Sequence, residues 1–370
     1  MSDPVEAGVI DAVVHPLMRR NEVLQDYMTE PLKRLFVSGT FRSMYPAPTG
    51  AAPYGEFLAS EKPAGAGPLD LPGSDPQRTL IFLEQNSIAS AVLVPLTRGL
   101  NASTNHNTAI CAATNDWLAE VWLGRRGHGP RFLGSICVNP RDPEAAVAEI
   151  RRWASHPAMV QVVVPMFVHL PYGQRVYHPI WAEAATNGLP VAVRSDGGTG
   201  LEFPPTPVGY PRFFIEYSTF ASANFGTHLA SLITEGVFEK YPSLKFVFTD
   251  GGHDVLTQLI WRMDTTFPAC RGETPWVKRM PSEYLTDHVR FVSAKHERPN
   301  LDPDAVADWA RISQVETLLM FGSHYPHWTT MKPGELFPEL PDATRRQMLS
   351  ANAREFYKNR IGAEATSPVR

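Results

Sequence analysis

The stretch RFLGSICVNPRDPEAAVAEIRRWASHPAMVQVVVPMF, Arg131–Phe167, decides the fold. Two apolar, β-branched runs, Arg131–Pro140 and Met159–Phe167, flank a segment that opens on Asp142-Pro143 and continues with helical spacing. Asp before Pro is a helix-opening pair, because the carboxylate accepts the free N–H groups of the first turn and proline has none to lose there. The flanking runs are apolar almost throughout instead of at alternate positions. A strand of that kind is covered on both faces, as in a parallel sheet.

Working outward, the same unit recurs. VIDAVVH (Val9–His15) and ASAVLVPL (Ala89–Leu96) precede it, and LPVAVRSD (Leu189–Asp196), LKFVFTDGG (Leu244–Gly252), HVRFVSAKH (His288–His296) and TLLMFGSH (Thr317–His324) follow it. Helical stretches separate these eight runs, several of them opening on Asp or Asn and closing at Gly or before Pro. The alternation predicts an α/β chain, a single (β/α)8 TIM-type barrel domain spanning residues 1–370. A doubly wound open sheet is the competing fold. It calls for a Gly-rich phosphate turn after the first strand, and VVHPLMRR has none. The Pro/Gly/Ala-rich stretch Tyr45–Pro76 is expected to be a long loop after the first strand, near the barrel mouth.

Composition narrows the function classes. With a net charge of -4 and a pI near 6.3 there is no basic footprint for nucleic acid, so a small-molecule partner is expected. Cys111, Cys137 and Cys270 lack CxxC spacing and build neither a disulfide framework nor a zinc cluster. The opening MSDPVEAGVIDAVVHP is acidic, and its apolar run is too short for a secretion signal or a membrane span; the expected location is the cytoplasm.

A barrel of this kind carries its chemistry where the strands end. Reading that position off each run gives His15, Asn139, His169, Arg194 with Ser195 and Asp196, Asp250, Lys295 with His296, and His324. His15, Asp250 and His324 are the expected centre, and Arg194, His296, Lys295, His169 and Trp328 the expected substrate contacts. His106, His128, His156, His178, His228 and His288 fall on helices or loops and are read as surface or capping residues. His253, directly after TDGG, either lines the site or merely opens a helix. The tryptophans of NDWLAEVWL recur at helical spacing and are expected in the core. SDGGTG is a short glycine cluster whose backbone N–H groups can hold an anion, but so short a cluster is a weak signal beside an ordinary flexible turn. KHERP lacks the second histidine of a zinc-protease helix.

VIDAVVHP, NDWLAEVWLGRRGHGPRFLGSICVNPRDPEAAVAEIRR, GVFEKYPSLKFVFTDGGHDVLTQLIWRMD, FGSHYPHW and SANAREFY together resemble the amidohydrolase-2 family, which includes aminocarboxymuconate-semialdehyde decarboxylase and resorcylate-type decarboxylases. The resemblance implies a barrel, hydrolase or decarboxylase chemistry, homodimerisation and, in members that bind zinc or another divalent metal, ligands at the first, fifth and eighth strands. Here the corresponding positions depart from the pattern. Val13 stands at the first ligand position with only His15 kept, Arg194 replaces a histidine, and His324 replaces an aspartate; Asp250 stands where many relatives have His or Glu. Arginine cannot ligate and repels a dication.

His15, Asp250 and His324 are therefore weak candidates for holding zinc or manganese. The expectation is an enzyme working without a metal, with Asp250 and His324 as an acid–base pair, His15 beside them and Arg194 as anchor for a small aromatic or unsaturated carboxylate. Two alternatives accompany it: a divalent-metal enzyme with this reduced ligand set, and a non-catalytic relative that binds a ligand or a partner subunit.

Overall fold

The computed structural model describes residues 8–18, 21–35, 73–95, 103–124, 131–195, 209, 212–220, 222–294, 302–327, 329–358 and 360–361. The strands are β1 (Val9–Val14), β2 (Ile88–Leu93), β3 (Phe132–Cys137), β4 (Met159–Pro165), β5 (Val191–Arg194), β6 (Phe246–Phe248), β7 (Val289–Val292) and β8 (Leu319–Met320). They pair in sequence order, every pair parallel. The seam is closed by the chain just after β8. Ala12 N–H donates to Phe321 O (2.8 Å), His324 N–H to Val13 O (3.0 Å) and His15 N–H to Tyr325 O (2.8 Å). The fold is the expected (β/α)8 barrel.

A helix follows each strand: α1 (Pro76–Gln85), α2 (Thr104–Trp117), α3 (Pro143–Trp153), α4 (His178–Thr186), α5 (Ala223–Thr234), α6 (His253–Cys270), α7 (Pro303–Ile312) and α8 (Asp342–Arg346). The caps are those the sequence announces. Asp75, Asp142 and Asp302 each accept backbone N–H groups of the first turn, with proline at its start. Two helices widen off the α pattern: α2 runs on into a π-helical turn, Leu118–Leu123, and α8 into another, Gln347–Ala351.

Two apolar layers hold the barrel. The interior packs short side chains, among them Ile10, Ala12, Val92, Leu133, Val163, Ala192, Val247 and Met320. The outer layer packs strand against helix with larger groups, including Trp122, Trp181, Phe246 and Phe291. Trp117 and Trp122 sit in that layer, as their helical spacing implies. At the floor a polar chain crosses the apolar interior: Tyr357 Oη donates to Gln161 Oε1, Gln161 Nε2 to Ser135 Oγ and Ser135 Oγ to Leu93 O, each 2.8 Å. All of these groups are satisfied, which removes the cost of burying them.

Of the Tyr45–Pro76 stretch, only its end at Gly73 is described, where it meets α1; the rest lies outside the described residues. Gly73 has φ +76°, and a side chain there would meet Pro326 at 2.9 Å, so this approach to the eighth-strand turn needs glycine. No helix among the described residues is long and apolar enough to cross a membrane.

Candidate functional site

His15 follows β1, Asp250 follows β6 and His324 follows β8, and the barrel brings the three together. Their ligating atoms all lie within 4.8 Å of one another. Each is fixed from behind by backbone. His15 Nδ1 is 3.1 Å from Val94 O, and His324 Nε2 is 2.8 Å from Ser293 O. A carbonyl only accepts, so each of these ring nitrogens carries the proton and the opposite nitrogen, Nε2 of His15 and Nδ1 of His324, is the lone-pair side. Asp250 Oδ2 accepts the Ser195 N–H at 2.8 Å and lies 2.7 Å from Thr249 Oγ1, which leaves Oδ1 turned toward His324 Nδ1 at 3.8 Å.

Three acceptor atoms thus converge on one point. Facing lone pairs repel unless a cation or a proton lies between them. Burial, with the Arg194 guanidinium and His324 close by, pushes His15 well below the usual imidazole range, so it is neutral at physiological pH. Two imidazoles and a carboxylate, each imidazole oriented through its second nitrogen, are a donor set suited to a small divalent ion. The residues present fit such an ion.

Arg194 ends β5 beside this trio and is 7% exposed. Its Nη1 reaches only Pro95 O, at 3.4 Å, and its Nε has no hydrogen-bond partner among the described residues. A buried guanidinium with so few partners among the described residues retains N–H donors for a further acceptor.

His324 sits at φ +56°, a left-handed conformation that β-carbon contacts disfavour for residues other than glycine. After β6, Gly251 and Gly252 both take φ +98°, turning the chain from Asp250 into α6; a β-carbon on Gly252 would press on Phe225 at 3.0 Å. That geometry explains why TDGG carries its two glycines.

The other expected residues fall as follows. His169 lies in the turn after β4, exposed, and is not part of the trio. Lys295, His296, Trp328 and the SDGGTG cluster from Asp196 onward lie outside the described residues, as does His128. His327 is held within its own turn, its Nδ1 2.7 Å from Thr329 Oγ1. Reading His228 and His288 as surface or capping residues is corrected by their burial. Their ring nitrogens meet Met166 O (2.6 Å) and Leu244 O (2.8 Å), and burial pushes His228 down to about 4. His253 opens α6 and is buried against Ser313 O at 2.8 Å, also about 4. Each is a neutral core histidine satisfying a carbonyl.

Asp11 is the residue the sequence reading passed over. It is wholly buried in β1, and burial raises its carboxyl from 3.8 to about 7 against the lowering effect of hydrogen bonds from Ser323 and Val13. The sign of its effect on stability follows. The unfolded carboxyl ionises above about pH 4 and the folded one resists until about pH 7, so the penalty grows across that window and is constant above it. It reaches on the order of 4 kcal/mol. Asp11→Asn is expected to gain stability relative to the parent as pH rises from 5 to 7, with the difference flat by pH 8. Urea unfolding of both proteins in chelator at each pH measures it; a difference independent of pH would refute the shifted carboxyl.

An eight-stranded barrel with titratable groups gathered at the strand ends has the layout of barrel enzymes, whose sites lie at the mouth. The chain belongs to the amidohydrolase family: residues 89–358 match the family described as Amidohydrolase (Amidohydro_2). It is an amidohydrolase-superfamily enzyme of hydrolase or decarboxylase class. Among the proteins it resembles is the gamma-resorcylate decarboxylase of Rhodococcus jostii (strain RHA1), 22% identical over 313 residues, which are 75% of this chain and 86% of the relative. Among solved structures it resembles an amidohydrolase from Mycobacterium avium subsp. paratuberculosis K-10 (TM-score 0.70, 19% identity, covering 96% of this chain and all of that one). It also resembles a dihydroxybenzoic acid decarboxylase from Polaromonas sp. JS666, solved with manganese and the inhibitor 2-nitroresorcinol (TM-score 0.64, 17% identity, covering 97% and 99%). At these identities the structural likeness speaks for the fold.

Proposed function

We propose that this protein decarboxylates a small aromatic carboxylate, with a divalent cation held by His15, Asp250 and His324 and the substrate carboxylate held by Arg194. The observation that carries the proposal is the convergence of three backbone-anchored acceptor atoms within 4.8 Å beside a buried, thinly satisfied guanidinium. Decarboxylation replaces a ring C–COO⁻ by C–H: the C–C bond breaks, its electron pair stays on the ring carbon, CO2 leaves and one proton is taken up. A cation bound by the trio supplies positive charge for a substrate oxygen. Arg194 grips the carboxylate by two parallel N–H donors and so fixes which C–C bond is presented. Val94 O and Ser293 O hold the imidazole rings in place, and Ser195 N–H keeps one Asp250 oxygen out of the reaction.

A second arrangement is favoured by Arg194 itself, whose fixed charge weakens a dication next to it. In it no metal is bound, a proton lies between Asp250 Oδ1 and His324 Nδ1, and that pair delivers it to the ring carbon. Both arrangements use the same residues, and one experiment separates them. Protein dialysed against chelator, then reloaded with Mn2+ or Zn2+, is given a panel of hydroxybenzoic acids that includes gamma-resorcylate, and CO2 is measured. The metal arrangement predicts that activity is lost and regained with about one ion per chain. Undiminished CO2 release in chelator supports the proton arrangement. No CO2 in either state, with hydrolysis of an ester or amide instead, overturns the decarboxylase proposal.

A further inference from the structure

Asp11 is wholly buried, and its Oδ2 has no hydrogen-bond partner among the described residues. A carboxyl group so placed costs free energy, so what its other oxygen binds is informative. Asp11 Oδ1 accepts two N–H groups: Val13 in its own strand at 3.1 Å and Ser323, 312 residues further along the chain, at 2.9 Å. Val13 and Ser323 begin the two short segments that carry His15 and His324. The same segments are laced together around that oxygen. His324 N–H donates to Val13 O at 3.0 Å, His15 N–H to Tyr325 O at 2.8 Å, and Tyr325 N–H to Ser323 Oγ at 3.1 Å.

The left-handed backbone of His324 gives the lacing a purpose. A residue with a β-carbon loses roughly 1–2 kcal/mol in that conformation and keeps it only where its surroundings hold it. Ser323, the residue just before it, is the one Asp11 grips.

The geometry points to Asp11 as the positioning residue for both histidines: a single carboxyl oxygen bridging Val13 N–H and Ser323 N–H sets the spacing of His15 and His324. This rests on the proposed role of the His15–Asp250–His324 trio, but it concerns ring placement and is measurable without turnover. What matters is the acceptor, not the charge. Asparagine keeps an acceptor oxygen at that place, and leucine keeps the volume without one.

The test uses the full chain as Asp11→Asn, Asp11→Leu and, as a control for general loosening of the barrel interior, Val92→Ala. Mn2+ affinity is measured by titration, and the histidine tautomers of the metal-free proteins are read by NMR with 15N-labelled histidine. Asp11→Asn is expected within about threefold of the parent affinity, with the Nε2–H form of His324 retained. Asp11→Leu is expected to bind Mn2+ at least about tenfold more weakly and to lose the single His324 tautomer, while Val92→Ala melts lower yet binds as the parent does. Parent-like affinity in Asp11→Leu, or equal losses in Asn and Leu, overturns the assignment.

Should the parent take up no Mn2+, the metal arrangement alone falls, and the tautomers decide: an unchanged His324 spectrum in Asp11→Leu overturns the positioning role. Should Asp11→Leu not fold, amide exchange in the parent decides. Protection of the Ser323 N–H equal to that of the β1 amides supports the bridge, and exchange within seconds overturns it.

Discussion

Arg194→Met is expected to lower kcat/KM for an aromatic carboxylate by about a thousandfold while raising the temperature at which the protein unfolds. The activity loss follows from removing a desolvated, charge-assisted partner of the substrate carboxylate, a change that costs about 2–5 kcal/mol in comparable buried pairs. Most of it should fall on KM, because the carboxylate is gripped before as well as during reaction. The stability gain follows from the same burial. Among the described residues the guanidinium has one 3.4 Å contact to Pro95 O and its Nε has no partner, so an apolar side chain of similar length removes a buried charge that these residues scarcely offset. Arg194→Lys should not rescue activity, since an ammonium cannot supply the parallel donor pair. Opposite signs for activity and stability identify a residue kept for its ligand. Michaelis kinetics and thermal melts measure both. A Met variant within threefold of the parent kcat/KM, or one that melts lower, would remove Arg194 from the site.

Much of this arrangement is legible in the sequence, for a physical reason. Strands buried on both faces are apolar nearly throughout, so each of the eight shows itself as a run, and the fold rule that chemistry sits at strand ends turns a list of runs into a list of side chains. His15, Asp250 and His324 emerge in that way, and they meet. The observed strands are shorter than the runs: β6 is Phe246–Phe248 within Leu244–Gly252, and β8 is Leu319–Met320 within Thr317–His324. Apolarity reports burial, which extends past the last ladder hydrogen bond into the turns.

Charge and polarity within the core are less legible. His228, His253 and His288 lie on segments of helical pattern, where nothing in a single sequence separates a solvated imidazole from one that caps a carbonyl beneath a helix; the difference is made by Met166, Ser313 and Leu244, all distant in the chain. Asp11 did carry a signal. A carboxyl inside VIDAVVH, a run otherwise apolar on both faces, must find partners indoors, and its partner Ser323 belongs to the very turn that delivers His324. What stayed hidden was only the pairing of residue 11 with residue 323, a fact of barrel closure.

Asp250→Asn tests whether the trio acts as a unit. The amide oxygen can take the place of Oδ2, accepting from Ser195 N–H and facing Thr249, so the fold should hold and the melting temperature should move by no more than about 2 °C, under about 1 kcal/mol. The amide nitrogen then faces His324 Nδ1, where a carboxylate oxygen stood at 3.8 Å. A donor opposite a lone pair is satisfied by itself; the convergence that called for a cation or a proton is gone. Turnover is accordingly expected to fall by about a thousandfold, within the range found for removing a positioned acid or base. Because His324 loses its counterpart in the same change, His324→Gln added to Asp250→Asn should cost little more than either alone, as for residues that work through one shared step. Losses that multiply across the two sites would mean that Asp250 and His324 act separately. Full activity in the Asn variant would mean that the carboxylate is there only to hold Ser195 and Thr249 in place.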